Sequence, residues 1–172
     1  MRWKLFATFI TATLLTSQAR AEEIETVSLC QLLSDPAAFN HKLIQISGQI
    51  WRGFEEFTIS DENCNNGNTV WLELGGNQGS EVMYCCNVPV DPERPKPLVV
   101  EGIETTIVRD KLFRRFQELT KRRGTARATV VGRYFSGEQQ TLPGGTFWMG
   151  YGHMGMASLL VIQQVVAVDR GA

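Results

Sequence analysis

The segment 42–51, KLIQISGQIW, alternates apolar and polar residues, and this period of two constrains the fold more than any other feature of the chain. Ile46, Gly48 and Ile50 fall on one side of an extended segment, and polar residues occupy the other side. Because successive side chains of a strand point to opposite faces, the segment predicts a β-strand with one buried and one wet face. Gly48 predicts a tight bend or bulge, of the kind by which a small barrel curls.

Further short runs of β-branched and apolar residues recur along the chain, and turn residues separate them. They predict strands at 55–61, 69–74, 97–106, 127–137 and 158–168. A long polar connection, 75–97, precedes the fourth predicted strand. The glycine-rich segment 144–156, GGTFWMGYGHMGM, is predicted to connect the last two strands.

Two segments have the character of helices. Segment 28–39 begins with Ser28, a good N-cap, and continues with leucines on one face. Segment 109–123 places four apolar residues at helical spacing, which predicts an amphipathic helix. These residues are Leu112, Phe113, Phe116 and Leu119. The second segment also carries seven basic residues. They indicate either a patch for a polyanion or anionic lipid, or a solvated helix face, and the acidic balance of the chain favours the solvated face.

The N-terminus has the three parts of a secretory signal peptide: basic Arg2 and Lys4, a short apolar run, and the A-x-A site at 19–21. We therefore expect a signal peptide at 1–21 and a single domain at 22–172, located in the periplasm or secreted. That domain has 14 basic and 18 acidic residues, a formal charge of −4, so no nucleic-acid partner is expected. It has no apolar run of the length of about 20 residues that a transmembrane helix needs.

Cys30, Cys64, Cys85 and Cys86 form an even set in a chain predicted to be exported, which favours disulfides. Neighbouring cysteines rarely bridge each other because their Cα atoms are only 3.8 Å apart. We therefore expect Cys85 and Cys86 to pair with Cys30 and Cys64, in an order that the sequence leaves open. The alternative is a thiolate metal site with His153, but the spacing matches no paired C-x-x-C zinc pattern. No metal or other cofactor is expected.

Several short strands with glycine kinks and one late helix predict a mainly β fold, a small closed or partly closed barrel. The residues HKLIQISGQIWRGFEEFTISDENC, TVWLEL, RATVVGRYFSG and LLVIQQVVAV together resemble an OB-fold. The chain is similar to exported bacterial OB-fold proteins, both an uncharacterised secreted family and, distantly, the periplasmic stress-associated group. This resemblance implies an OB-fold-like barrel of five to six strands, with an N-terminal helix and an amphipathic helix inserted before the last two strands.

Residues 22–172 contain two histidines, His41 and His153, and none of the G-x-S-x-G, H-E-x-x-H or phosphate-loop motifs. The sequence therefore predicts a non-enzymatic binding or interaction module of the cell envelope, with an unidentified ligand or envelope protein as its partner. The alternatives are a purely structural or assembly protein, and a metal-dependent enzyme that uses His153 and cysteine thiolates.

Aromatic residues near the predicted barrel mouth are the candidate ligand-binding residues, because they can stack on a sugar, a base or a peptide side chain. With one histidine, the candidates are Trp51, Phe54, Trp71, Phe147, Trp148, Tyr151 and His153. In the competing interpretation, which we favour, Phe147, Trp148 and Met149 fold back to close one end of the barrel, and His153 makes internal hydrogen bonds.

Overall fold

The computed structural model describes residues 22–64, 69–82, 93–121 and 124–171, with the backbone alone for 139–142 and 146–148. The predicted signal peptide, 1–21, lies outside these residues, as do Cys85 and Cys86. Among the residues that are described, no helix is both long and apolar enough to cross a bilayer.

Ten strands, two α-helices and three short 3-10 helices make up the described chain. The strands are β1 (Glu25–Thr26), β2 (Leu43–Arg52), β3 (Phe57–Ser60), β4 (Val70–Leu74), β5 (Val99–Val100), β6 (Ile103–Glu104), β7 (Thr125–Phe135), β8 (Glu138–Leu142), β9 (Gly145–Met149) and β10 (Ser158–Arg170). The α-helices are α1 (Leu29–Ser34) and α2 (Lys111–Thr120), and the 3-10 helices are Pro36–Phe39, Glu62–Cys64 and His153–Gly155.

Five strands close into a barrel in the order β2-β3-β4-β10-β7, and β7 returns to pair with β2. The pair β4–β10 is parallel and the other barrel pairs are antiparallel, while β1 extends β2 as a sixth, parallel strand. Helix α1 precedes the barrel, and α2 lies between its third and fourth strands. The prediction of a small OB-fold-like barrel with these two helices is confirmed.

The alternation in β2 builds one wall of the core. Ile44, Ile46 and Ile50 are buried inside the barrel with Phe57 of β3. Gly48 pairs with β7 without a shift of register, so of the predicted bend or bulge the bulge is excluded. The glycine is required instead by a close approach, because a Cβ at this position would lie 2.6 Å from the carbonyl oxygen at the end of β3.

Helix α2 begins after Asp110, whose carboxylate accepts a hydrogen bond of 2.9 Å from the amide of Phe113. Its buried side chains are Phe113, Phe116 and Thr120, and the ring of Phe116 lies 6.2 Å from that of Phe57 in the barrel. Leu112, at the edge of the predicted stripe, is exposed. The helix is also shorter than the predicted 109–123.

Two predicted segments fold differently. The single strand expected at 97–106 is a hairpin of β5 and β6, because Glu101 and Gly102 have φ values of 49° and 79° and reverse the chain in a two-residue turn. The connection expected at 144–156 begins with strand β9, which pairs with β8 from Glu138 to Met149. Only the part after Met149 is a loop.

The expected cysteine pairing is wrong. Cys30 bonds to Cys64, with Cα atoms 5.0 Å apart, so neither pairs with Cys85 or Cys86. Helix α1 packs against the 3-10 helix that follows β3, and this contact brings the two sulfurs together. Elimination among the four cysteines could not predict a contact between two elements.

The described ends of the long connection 75–97 are held by a buried ion pair rather than by the expected disulfides. Glu73 of β4 lies 2.8 Å from Nη2 of Arg94, and both side chains are almost fully buried. The same carboxylate accepts hydrogen bonds from the amide and hydroxyl of Ser80, and Arg94 donates one of 2.9 Å to the carbonyl oxygen of Leu74. These contacts hold the described ends of the connection against β4.

Candidate functional site

A groove of about 610 Å³ opens beside β3 and β4. Its walls come from the end of α1, the β2–β3 turn, the two strands, the end of β7 and the segment before β10. The lining residues are Leu33, Pro36, Glu55, Glu56, Thr58, Thr69, Trp71, Ser136, His153, Met156, Ala157 and Ser158. In OB-folds, ligands bind to the second and third barrel strands between the loops that join strands one to two and four to five. The second and third barrel strands of this protein are β3 and β4, so the groove lies on the corresponding face of this barrel.

One wall of the groove is acidic. Strand β3 begins at Phe57, so Glu55 and Glu56 lie in the turn before it, not in the strand predicted at 55–61. The turn is closed by a hydrogen bond of 2.7 Å from the amide of Gly53 to the carbonyl oxygen of Glu56. Both glutamates of this turn are exposed, and both line the groove. Among the described lining residues there is no lysine or arginine.

Another wall of the groove is a short loop that leads into β10. Tyr151 and Ala157 exchange two backbone hydrogen bonds of 2.7 and 3.1 Å, which close the loop at its base. His153, Met154 and Met156 lie between them and are exposed, Met156 to 70%. A flexible thioether at this position can adapt its shape to the side chain of a ligand.

Trp71 lies at the base of the groove and is only 3% exposed. Gly152 lies directly over it, since a Cβ at Gly152 would be 2.3 Å from the indole ring. The backbone of Gly152 also has a φ of 70°, which favours glycine. The indole ring therefore supports the loop and does not present an open face to a ligand.

Three side chains, those of His41, Glu101 and Tyr151, form a hydrogen-bonded cluster at the base of this loop. The Tyr151 hydroxyl donates a hydrogen bond to Oε1 of Glu101, and Oε2 of Glu101 lies 2.5 Å from Nε2 of His41. Burial raises the pKa of Glu101, but the hydrogen bonds from Tyr151 and His41 outweigh it and hold that pKa below its ordinary value. Burial, followed by the carboxylate it faces, raises the pKa of Tyr151. The cluster is thus an anionic carboxylate between two hydrogen-bonding partners.

The structure separates the predicted ligand-binding residues into three groups. Trp71 and His153 line the groove, and Tyr151 supports it without lining it. Trp51, near the end of β2, and Phe54, in the β2–β3 turn, lie outside the lining, with 39% and 58% of their surface exposed. The remaining two, Phe147 and Trp148, are in β9, where the side chains lie outside the described residues.

Sequence reasoning missed the acidic wall and the supporting cluster. The pair Glu55–Glu56 follows the aromatic residue of a short turn, and this position at a loop tip was the available signal. His41 and Glu101 carry no local signal, because the two residues are 60 positions apart. Only the folded chain brings them together.

Comparisons of the chain with protein-family models, with curated proteins and with solved structures found no match. The resemblance to exported bacterial OB-fold proteins therefore stays a prediction.

Proposed function

We propose that this protein is an exported, non-enzymatic binding module of the cell envelope, and that its ligand or protein partner binds in the groove beside β3 and β4. The position of the groove is the observation that carries the proposal. A volume of about 610 Å³ is within the usual range of roughly 300–1,000 Å³ for ligand sites. It also lies between the two loops that border the ligand in OB-folds.

Export is supported by two independent features. The first 21 residues have the pattern of a secretory signal peptide. The second feature is the Cys30–Cys64 disulfide, because disulfides form and persist in oxidising compartments such as the periplasm or the extracellular space.

The composition of the groove favours binding over catalysis. Its polar groups are two exposed carboxylates, hydroxyl groups and His153, and they are spread along the walls. A catalytic site instead needs a nucleophile, a base and an orienting group in hydrogen-bond contact. For the alternative of a metal-dependent enzyme, Cys30 and Cys64 are bonded to each other and supply no thiolate, and Cys85 and Cys86 lie outside the described residues. No group of three or more potential metal-ligating side chains is found in the part of the chain that the structure describes.

A structural or assembly role is the second candidate function, and a specific observation favours it. Trp71 and Tyr151, which the sequence suggests for ligand binding, are both almost fully buried. Their rings therefore contribute to packing, and a ligand would contact mainly the turn at Glu55–Glu56 and the loop at Met156.

NMR titration of residues 22–172 tests the proposal. Three defined probes represent the main ligand classes: a short basic peptide, a neutral oligosaccharide and a single-stranded oligonucleotide. We expect one of them to shift the backbone amides of Glu56, Thr58 and Met156, and Met156→Ala to weaken that binding. Val99→Ala, an exposed apolar position outside the groove, serves as the control. If no probe moves the groove amides, the structural role is favoured instead.

A further inference from the structure

We propose that the groove recognises a polypeptide segment that carries both basic and apolar side chains, an inference that rests on the proposed function. It names the chemistry of the ligand, which the position of the groove does not determine. Charge, apolar lining and the covered indole ring support it separately.

The charge of the groove selects a cationic partner. Glu55 and Glu56 are exposed at one wall, and no ion pair to either is found within the described part of the chain. The other walls add no described lysine or arginine that would neutralise them. Two carboxylates side by side raise the local concentration of a cationic ligand and strengthen its binding at low salt.

The remaining surface of the groove is largely apolar. Leu33 and Pro36 line it from the α1 side, and Met156 and Ala157 line it from the loop. Methionine side chains are common at surfaces that accept varied peptide sequences, because the thioether is flexible and polarisable. An apolar side chain of the ligand would bury surface here while a neighbouring basic side chain reaches the acidic wall.

The two ligand classes most familiar for OB-folds fit this groove less well. An oligonucleotide would bring its phosphates against Glu55 and Glu56, and like charges repel. An oligosaccharide needs an open aromatic face on which to stack, and the ring of Trp71 is covered by Gly152. A small cation without apolar groups would make no contact with the apolar lining formed by Leu33, Pro36, Met156 and Ala157.

Fluorescence anisotropy with a labelled peptide tests the inference. The probe is an acetylated and amidated heptapeptide of alternating lysine and leucine, and the comparison peptides replace every lysine by glutamate or every leucine by serine. We expect the Lys/Leu peptide to bind more tightly than either, and its affinity to fall as salt rises. Glu55→Gln with Glu56→Gln should weaken binding by roughly two- to fivefold for each carboxylate, as expected for exposed ion pairs.

A matched variant controls for the net negative charge of the protein. The double variant Glu23→Gln with Glu104→Gln also removes two negative charges, but from exposed positions outside the groove. We expect its affinity for the peptide to equal that of the wild type. All four glutamates are exposed, so both variants should fold, and equal thermal unfolding temperatures would verify this.

The possible outcomes separate this inference from the proposed function. If the oligosaccharide, the oligonucleotide or the glutamate peptide shifts the groove amides as strongly as the Lys/Leu peptide, the groove is a binding site and the ligand class is wrong. If both double variants weaken peptide binding equally, the attraction is nonspecific and the inference is overturned. If no probe reaches the groove, the proposed function fails together with the inference.

Discussion

The hydroxyl of Tyr151 donates a hydrogen bond to Oε1 of Glu101, a residue 50 positions earlier in the chain. The second oxygen of the same carboxylate contacts His41, in the segment before β2. His41 and Glu101 have φ values of 64° and 49°, a left-handed conformation that costs free energy in residues other than glycine. Three separate segments therefore meet at one carboxylate, and one of them carries the loop that forms a wall of the groove.

Removal of the Tyr151 hydroxyl should destabilise the fold. Tyr151→Phe keeps the buried ring but leaves Glu101 without one hydrogen-bond donor, and bonds to charged groups contribute about 1.5–3 kcal/mol. Because Glu101 is partly exposed, we expect a decrease in the free energy of unfolding near the lower limit of that range. Urea denaturation measures it, with Met154→Ala on the same loop as an exposed control. An unchanged value for Tyr151→Phe would show that the bond contributes no stability.

The stability of the protein should depend on the ionisation of Glu101. Its folded pKa is below the ordinary value, so the contribution of the carboxylate is present above the unfolded pKa, about 4.3, and is lost as the pH falls through the folded pKa. His41, Tyr151 and, at longer range, Glu138 are the titratable groups that act on the cluster. We therefore expect the free energy of unfolding to decrease as the pH is lowered from about 5 to about 3.

The variant Glu101→Gln isolates this effect. It cannot ionise, so its free energy of unfolding should decrease less over the same pH interval. Glu22, whose pKa a hydrogen bond from Arg133 lowers, remains in both proteins and contributes an equal background. Urea denaturation at each pH gives the two curves, and parallel curves would mean that Glu101 does not carry the pH dependence.

The contact between Gly152 and Trp71 should set the position of the loop. Gly152→Ala would place a Cβ 2.3 Å from the indole ring, so the loop must move, at a cost of about 1–3 kcal/mol. Gly155→Ala is a matched control, because it has a similar φ of 65° but no atom closer than 3.6 Å. Urea denaturation and the tryptophan emission spectrum should both change more at Gly152 than at Gly155. Equal effects would indicate that only backbone strain matters.

The buried ion pair between Glu73 and Arg94 should be far more important than an exposed one. Arg94→Met removes the cation that lies 2.8 Å from the buried Glu73 carboxylate, and loss of one partner of a buried pair costs about 3–5 kcal/mol. Arg115→Met is the control, since the pair of Arg115 with Glu118 is exposed and 3.7 Å long, and such pairs contribute about 0–1 kcal/mol. Unfolding free energies from urea denaturation should differ accordingly. Similar losses in the two variants would contradict a structural role for the buried pair.

The barrel could be predicted because its signals are local. The alternation around Ile46 and Ile50 and the helical stripe at Phe113 and Phe116 reflect which side chains are buried, and burial dominates the energetics of folding. The same reasoning could not separate hairpins from strands. The turn at Glu101–Gly102 depends on two left-handed residues, one of which is not glycine.

The candidate site was predicted only in part. Trp71 and His153 do line the groove, but the aromatic rings of Trp71 and Tyr151 are buried and contribute to packing. The sequence predicts a strand that begins at Glu55, whereas β3 begins at Phe57, and strand boundaries are uncertain by one or two residues when read from sequence.

By itself, the sequence determined the barrel class, the amphipathic helix and the expectation of export, because each follows from periodicity or composition within one segment. Only the tertiary structure decided that Cys30 bonds to Cys64, 34 positions away, that His41 reaches Glu101, 60 positions away, and that one wall of the groove is acidic. The physical reason is that these features arise from contacts between segments, and such contacts exist only after the barrel has closed.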